Sequence, residues 1–404
     1  MNRTALQNHF SDVKSGIALF LVALPLTLGV AMECNVPLFS GIIAGVIGGF
    51  VGAAISGSKY NVTGPAGGLI VIIISAIAQL GSYESFLAAL VFAGIFQLLL
   101  GFIKAGNFGT YIPNSVIKGM LVAMGILLIV KQTPFVLGYE KLNPEGHNFE
   151  ETHENIWQYV TPGALVVGVV SLMLIIIADR PFYKNNRFLA FLPGTFLAVL
   201  TGIGLTMLFR DSPFFVIGSR HLINTSTISP VSDIGSNFTF PDFGFIQQSS
   251  FWTVVFTIGI VASLETVLRV EAIGKLDPEK NKINTNKELV GQGLANVFCG
   301  LIGGLPVTSV VVRTSVNINA GAKTKLSVIL HAILLGISVL LFPKAISLIP
   351  NASLAAILIH TGYKMAKPAI VMEHLYAGIE EFAPFLVTII GMLLFNLVVG
   401  VFAG

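Results

Sequence analysis

The sequence has 404 residues, of which 54% are hydrophobic and only 11% charged, with a formal net charge of +3. Soluble domains carry about 25% charged residues, so this composition excludes a water-soluble enzyme, a nucleic-acid-binding protein and a disordered chain. The two cysteines, Cys34 and Cys299, lie in apolar stretches and indicate neither a disulfide framework nor a metal site. The sequence therefore predicts a polytopic membrane protein without a cofactor, a metal ion or a nucleic-acid partner.

Charge-free stretches that are long enough to cross a bilayer recur along nearly the whole chain. The first three of these stretches are 15–32, 34–58 and 60–83, and the last is 382–404. A spanning helix needs about 20 apolar residues, which gives about 12 to 14 segments here. The prediction is an all-α membrane protein of about 14 transmembrane segments, in contact with membrane lipid along its length.

Basic residues are distributed unevenly between the two sides of this arrangement. If the N-terminus is cytoplasmic and 14 helices alternate, the cytoplasmic connections hold 18 Lys and Arg and the opposite side holds five. Cytoplasmic loops of membrane proteins carry such an excess of positive charge. Both termini are therefore predicted to be cytoplasmic, in a multi-pass protein of the plasma (inner) membrane.

Two Gly/Pro-rich interruptions, at 61–68 and 303–309, are the most informative feature of the sequence. Each reads as an unwound stretch that leads into a half-helix, with a proline where its missing N–H costs little. They fall in the third and tenth spans, which is the same place in two predicted seven-helix repeats. We expect these repeats to cover about residues 12–210 and 250–404. Interrupted helices at corresponding places in two repeats indicate a transporter site.

The free N–H groups and the positive dipole end of a half-helix attract an anion. Two such ends near the bilayer midplane would form an anion site without a charged side chain. The alternative interpretation is that the two interruptions are only kinks that help the helices to pack. Glycines at 41, 45 and 49, and at 48 and 52, predict close packing of the second helix. The predicted substrate-binding residues are Thr63, Pro65, Ala66, Gly67, Val307, Thr308 and Ser309.

Glu265 is a carboxylate in an otherwise uncharged span, and such residues usually have a functional role. An ionised carboxylate beside an anion site would repel the substrate, so Glu265 is protonated, binds a cation or is neutralised by a fixed partner. The first two options couple anion movement to H⁺ or Na⁺. Arg269, one turn later, is the candidate partner for the third. Arg313 either anchors its helix at the cytoplasmic interface or attracts anions.

Four segments resemble the SulP (sulfate permease) family of inorganic anion transporters. They are Thr-Gly-Pro at 63–65, Ala-Ser-Leu-Glu at 262–265, Asn-Thr-Asn-Lys-Glu-Leu-Val-Gly-Gln-Gly at 284–293 and Gly-Gly-Leu-Pro-Val-Thr at 303–308. The resemblance implies a 7+7 inverted repeat, in which a core domain (helices 1–4 and 8–11) moves against a gate domain (helices 5–7 and 12–14), often as a homodimer. It also implies that the backbone at 65–67 and 307–309 binds the anion and that Glu265 is the coupling carboxylate.

Two features depart from the family pattern. Arg269 departs from the sodium-driven bicarbonate branch, which argues against sodium coordination of that type. Family members usually continue into a STAS domain, whereas this sequence is predicted to be a single transport domain, 1–404, without one. Either the sequence is a fragment of a longer protein or the regulatory domain is absent. The segments 271–278 and 311–315 resemble members associated with carbonic anhydrases, which favours bicarbonate over sulfate.

These observations predict a secondary active transporter of a small inorganic anion, bicarbonate ahead of sulfate, coupled to Na⁺ or H⁺ and working by an elevator-like movement. The alternatives are a nucleobase permease of the same fold, or an uncoupled anion exchanger or channel. No nucleophile–base pair, metal cluster or phosphate-binding loop stands out in the sequence, so an enzyme is not predicted.

Overall fold

The computed structural model describes residues 3–65, 67–106, 113–139, 160–185, 193–218, 221–223, 235–277, 279, 283–341, 346–395, 399–400 and 403–404. Its main helices are α1 Arg3–Glu33, α2 Leu38–Ile47, α3 Ile70–Leu80, α4 Tyr83–Phe102, α5 Asn114–Leu137, α6 Pro162–Ala178, α7 Gly194–Leu208, α8 Ser249–Leu276, α9 Thr285–Ile302, α10 Val311–Asn319, α11 Leu326–Leu341, α12 Asn351–Met365, α13 Pro368–Ala377 and α14 Ile379–Leu394. Two strands, β1 Thr63–Pro65 and β2 Val307–Ser309, complete the set. Helix α2 continues as a π-helix, Gly48–Gly52, and a short α-helical turn, Ala53–Ile55.

Five described helices are long and apolar enough to cross a bilayer: Asn8–Glu33, Leu38–Ile55, Tyr83–Phe102, Asn114–Leu137 and Ser249–Val270. The two predicted half-helices are much shorter, with 11 residues in α3 and 9 in α10. At 1.5 Å per residue they span about 14 to 16 Å, roughly half of a hydrocarbon core. The structure thus confirms the all-α membrane fold with two half-helices.

The two interruptions pair with each other in an antiparallel two-stranded sheet. Thr63 lies opposite Ser309, Gly64 opposite Thr308 and Pro65 opposite Val307. Each strand leads into its half-helix, through a 3₁₀ turn at Gly67–Leu69 for β1 and directly for β2. Both half-helices therefore begin next to the strand pair, and because the strands run in opposite directions they begin at its opposite ends.

Glycines of α2 allow this helix to approach its neighbours closely, as the sequence predicted. A β-carbon on Gly45 or Gly49 would lie 2.7 or 2.6 Å from side chains of α11, and one on Gly48 or Gly52 would lie 2.6 or 2.7 Å from oxygens of Thr63. Contacts this short are not seen for real β-carbons. One side of α2 therefore supports α11 and the other supports β1.

By its contacts the chain divides into two compact units. The first comprises residues 1–124, 227–341 and 365–404, and it contains both strands and both half-helices. The second comprises 125–226 and 342–364, where Ser171 and Ser353 hydrogen bond through their hydroxyls at 2.9 Å. Residues 365–404 belong to the first unit, whereas the family resemblance places the last helices in the gate. The single-domain, repeat and core-and-gate boundaries stay predictions.

Candidate functional site

The strand pair has two faces with different surroundings. Residues opposite each other in an antiparallel pair project to the same side, and neighbours along a strand alternate. Thr63 and Pro65 therefore share one face with Val307 and Ser309. The other face carries only Gly64 and Thr308, and we call it the Gly64–Thr308 face.

The Thr63–Ser309 side is tied to the scaffold by hydrogen bonds. The Ser309 hydroxyl oxygen accepts from the Asn61 amide at 2.8 Å and from the Gln292 amide at 2.6 Å. Asn61 also donates to the carboxylate of Glu288 at 2.7 Å, and Ser56 and the Gly57 N–H donate to the same carboxylate. This face is thus filled by α9 and by the loop before β1.

The side chain of Asn296, in α9, hydrogen bonds to both backbone groups of Val307, the first residue of β2. Its side-chain oxygen accepts from the Val307 N–H at 2.7 Å, and its amide donates to the Val307 carbonyl at 3.2 Å and to Gln97 at 2.6 Å. Asn296 is fully buried, so no water replaces these bonds. This contact fixes the position along α9 at which β2 begins.

We expect Asn296→Leu to lower the free energy of unfolding by about 3 to 5 kcal/mol, because two backbone groups and the Gln97 amide would lose a partner and each buried unpaired group costs about 1–3 kcal/mol. Thermal unfolding of the purified protein in detergent would measure the loss. The exposed Asn319 provides the control, since Asn319→Leu should leave the midpoint nearly unchanged. Equal midpoints for the two variants would contradict the role given to Asn296.

On the Gly64–Thr308 face, Arg269 joins α8 to β2. Its guanidinium donates to the Thr308 hydroxyl at 2.8 Å through Nη1 and lies 3.0 Å from Oε2 of Glu265 through Nη2. Nη1 also donates to the Ser309 carbonyl at 3.2 Å. The Glu265 side chain is fully buried and that of Arg269 is 13% exposed. The structure therefore shows the Glu265–Arg269 ion pair, which is the third of the options that the sequence left open for Glu265.

The Glu265 carboxylate also lies at the start of the first half-helix. A β-carbon on Gly68 would overlap Oε1 of Glu265 and lie 2.9 Å from Nη2 of Arg269. Gly68 belongs to the 3₁₀ turn that opens the half-helix, where unpaired N–H groups give a partial positive charge. The absence of a side chain at this residue is what admits the ion pair to the helix end.

Arg313 supplies a second guanidinium from the opposite half-helix. Its side chain is 1% exposed, and Nη2 donates weakly to the Pro65 carbonyl at 3.4 Å. Nη1 lies next to Gly64, whose added β-carbon would be 2.5 Å away. Nε and Nη1 have no hydrogen-bond partner among the described residues. The interface-anchor interpretation is therefore wrong, because Arg313 is buried beside β1.

A buried guanidinium without a countercharge is energetically costly, and an anion on the Gly64–Thr308 face would supply both the charge and the acceptors that Arg313 lacks. Within the described part of the chain, no three His, Cys, Asp or Glu side chains lie close enough to hold a metal ion. The Gly64–Thr308 face carries two guanidinium groups and a hydroxyl, groups that form hydrogen bonds with oxyanions.

The structure places the other predicted site residues in different roles. Thr63 packs on Gly52, Pro65 offers its carbonyl to Arg313, Gly67 opens the 3₁₀ turn, and Val307 and Ser309 are held by α9. Ala66 lies outside the described residues. Their assignment as substrate-binding residues stays a prediction.

Three polar residues of α9 that hold the strands were not identified as functional in the sequence. They are Glu288, Gln292 and Asn296. Their spacing of four residues places them on one face of a helix. A row of three polar side chains within a membrane span is the sequence pattern that could have identified them.

Comparison with known proteins gives a consistent result. The model of the sulfate permease family matches residues 10–388. The chain is 28% identical to the putative sulfate transporter YvdB of Bacillus subtilis over 99% of this chain and 72% of that protein. It is 25% identical to the bicarbonate transporter BicA of Picosynechococcus sp. over 89% of this chain and 62% of that protein, so it spans less than two thirds of that relative.

Solved structures with the same fold include the transmembrane domain of a cyanobacterial BicA, with a TM-score of 0.81 at 22% identity over 98% of this chain and 97% of that one. The structure of SLC26A9 matches with a TM-score of 0.80 at 14% identity over 98% of this chain and 64% of that one. These matches confirm the predicted 7+7 membrane fold.

Proposed function

Because the chain belongs to the sulfate permease family, we propose that it is a secondary active transporter that binds a small inorganic anion on the Gly64–Thr308 face. The observation that carries this proposal is the buried Arg313 guanidinium, two of whose nitrogens have no hydrogen-bond partner in the described part of the chain. The beginnings of the two half-helices and the Thr308 hydroxyl supply the remaining groups. An enzyme is not expected from this family.

Bicarbonate is proposed ahead of sulfate on grounds of charge. Glu265 offsets the charge of Arg269, which leaves one full uncompensated charge, on Arg313. The desolvation cost of an ion grows with the square of its charge, whereas its attraction to a fixed site grows only in proportion. A buried site with one unpaired guanidinium therefore suits a monovalent anion better than a divalent one.

Coupling to a cation is proposed to act through Glu265. The guanidinium of Arg269 already fills the cation position beside the carboxylate, which favours a proton over Na⁺ as the coupling ion. An uncoupled exchanger is the second candidate, and the observation that favours it is the Glu265–Arg269 ion pair. Elevator-like movement, a homodimer, cytoplasmic termini and residence in the inner membrane complete the proposal.

Uptake of labelled bicarbonate and sulfate into proteoliposomes, with and without an imposed H⁺ or Na⁺ gradient, tests this function. We expect saturable bicarbonate uptake that exceeds equilibrium under an H⁺ gradient. Saturable uptake that ignores both gradients would support the exchanger, and the absence of uptake for both anions would reject the anion proposal.

We expect Thr308→Val to raise the KM for the anion about five- to tenfold. Valine keeps the shape of threonine but removes the hydroxyl that binds Arg269 at 2.8 Å, and a hydrogen bond to a charged group contributes about 1.5–3 kcal/mol. Initial uptake rates over a range of anion concentrations would measure the change. Thr253→Val is the control, since Thr253 is an exposed threonine of the same helix as Arg269. An unchanged KM would remove Thr308 from the site.

A further inference from the structure

We propose that the Glu265 carboxylate is a tethered anion that occupies the substrate's own binding groups and is displaced when the substrate binds. This inference rests on the proposed transport function and specifies how the charge of Arg269 is balanced while the site is empty. It gives Glu265 a role as a built-in competitor, which is separate from carrying a coupling ion.

The contacts of Glu265 are those that an anion at this site would make. Its Oε2 lies 3.0 Å from Arg269, whose other nitrogen binds Thr308 at 2.8 Å. Its Oε1 lies against Gly68, at the beginning of the first half-helix. A helix beginning and a guanidinium are both groups that recognise oxyanions. The carboxylate and a substrate anion therefore need the same partners.

A comparison with Glu288 shows that Glu265 is weakly fixed. Both are about 1% exposed. The Glu288 carboxylate receives hydrogen bonds from the hydroxyl of Ser56, the backbone of Gly57 and the amide of Asn61. Glu265 has fewer partners: Oε2 lies within ion-pair distance of Arg269, and the Thr308 hydroxyl interacts with the carboxylate without forming a hydrogen bond of full geometry. Both partners belong to the Gly64–Thr308 face, so another anion bound to Arg269 and Thr308 would release Glu265.

The reach of Arg269 also separates this role from a purely structural one. An ion pair that only stabilised α8 would need no contact beyond its own helix. Arg269 instead bonds to the Thr308 hydroxyl and the Ser309 carbonyl of β2. The guanidinium is thus fixed to the strand pair, independently of Glu265, and stays in place when the carboxylate leaves.

Removing the competing charge should tighten anion binding. We expect Glu265→Gln to lower the Kd for bicarbonate, and for sulfate, about tenfold, measured by calorimetry on the purified protein in nanodiscs. Glu288→Gln is the matched control, because it removes an equally buried negative charge that does not contact Arg269; its Kd should not fall. An unchanged or higher Kd for Glu265→Gln would overturn the proposal.

A second measurement does not depend on that variant. Glu265→Ala leaves room beside Arg269 and Gly68, which the free carboxylate formate should fill. Formate should then compete with bicarbonate in Glu265→Ala and have at least tenfold less effect on the wild-type protein, and equal effects would overturn the tethered-anion role. Wild-type protein that binds neither bicarbonate nor sulfate would reject the transport proposal itself, whereas wild-type binding with no gain in Glu265→Gln rejects only the competitor.

Discussion

Arg313→Gln is expected to lower anion uptake about 100-fold while leaving the protein at least as resistant to heat as the wild type. Loss of one partner of a buried charge pair costs about 2–5 kcal/mol of binding, which accounts for the loss of uptake. The stability should not fall, because the side chain is 1% exposed and no described carboxylate forms an ion pair with it. Removing an unpaired buried charge relieves the empty protein of a desolvation cost.

The two readouts together separate a binding role from a structural one. Uptake into proteoliposomes and thermal unfolding should be measured on the same preparation. Lys59→Gln is the control, because Lys59 is about half exposed and its ion pair with Glu279, which raises the pKa of Lys59, lies outside the spans. This variant should stay within about twofold of wild-type uptake, as exposed pairs contribute little. A sharp fall in the unfolding temperature of Arg313→Gln would show that Arg313 holds the fold.

Glu265→Gln is expected to abolish accumulation above equilibrium while anion exchange continues. Glutamine is close in shape to glutamate but cannot take up a proton, so it cannot carry the coupling proton that the proposed function assigns to Glu265. The measurement is labelled-bicarbonate uptake driven by an H⁺ gradient, compared with exchange against internal unlabelled bicarbonate. The exchange assay shows that the variant is folded and active.

Glu288→Gln again provides a control for burial and charge. Uptake by this variant is expected to be slower, because Glu288 holds the loop before β1 through Ser56, Gly57 and Asn61. It should still respond to the H⁺ gradient, because the hydrogen bonds described for Glu288 do not reach the guanidiniums. Full accumulation by Glu265→Gln would assign Glu265 and Arg269 to an ion pair without a coupling role. Loss in both variants would show that the response does not depend on which carboxylate is removed.

Much of the fold could be predicted because membrane insertion constrains the sequence strongly. A bilayer admits only helices of sufficient apolar length, so hydropathy identified the spans, and a proline with several glycines identified the two breaks. The short lengths of α3 and α10 and the close packing of Gly48 and Gly52 agree with that reading.

The details of the site depend on contacts between distant parts of the chain. Which face Thr308 takes follows from its pairing with Gly64, and a shift of one residue would turn it toward α9. The burial of Arg313 depends on the space left by Gly64, and no local pattern encodes that space. Spacing alone could anticipate the Glu265–Arg269 pair and the polar row of α9, because in both cases the residues are four apart on one helix.

The antiparallel strand pair also constrains how the protein is made. Its ladder joins residues about 240 positions apart in the chain. Until the second repeat has been synthesised, β1 lies in the bilayer with backbone groups that have no partner, and each such group costs several kcal/mol in hydrocarbon. The first repeat therefore cannot reach its final state on its own. The first repeat enters the membrane before its partner exists, and the proposed anion site is assembled only after residues 307–309 have emerged and paired with β1.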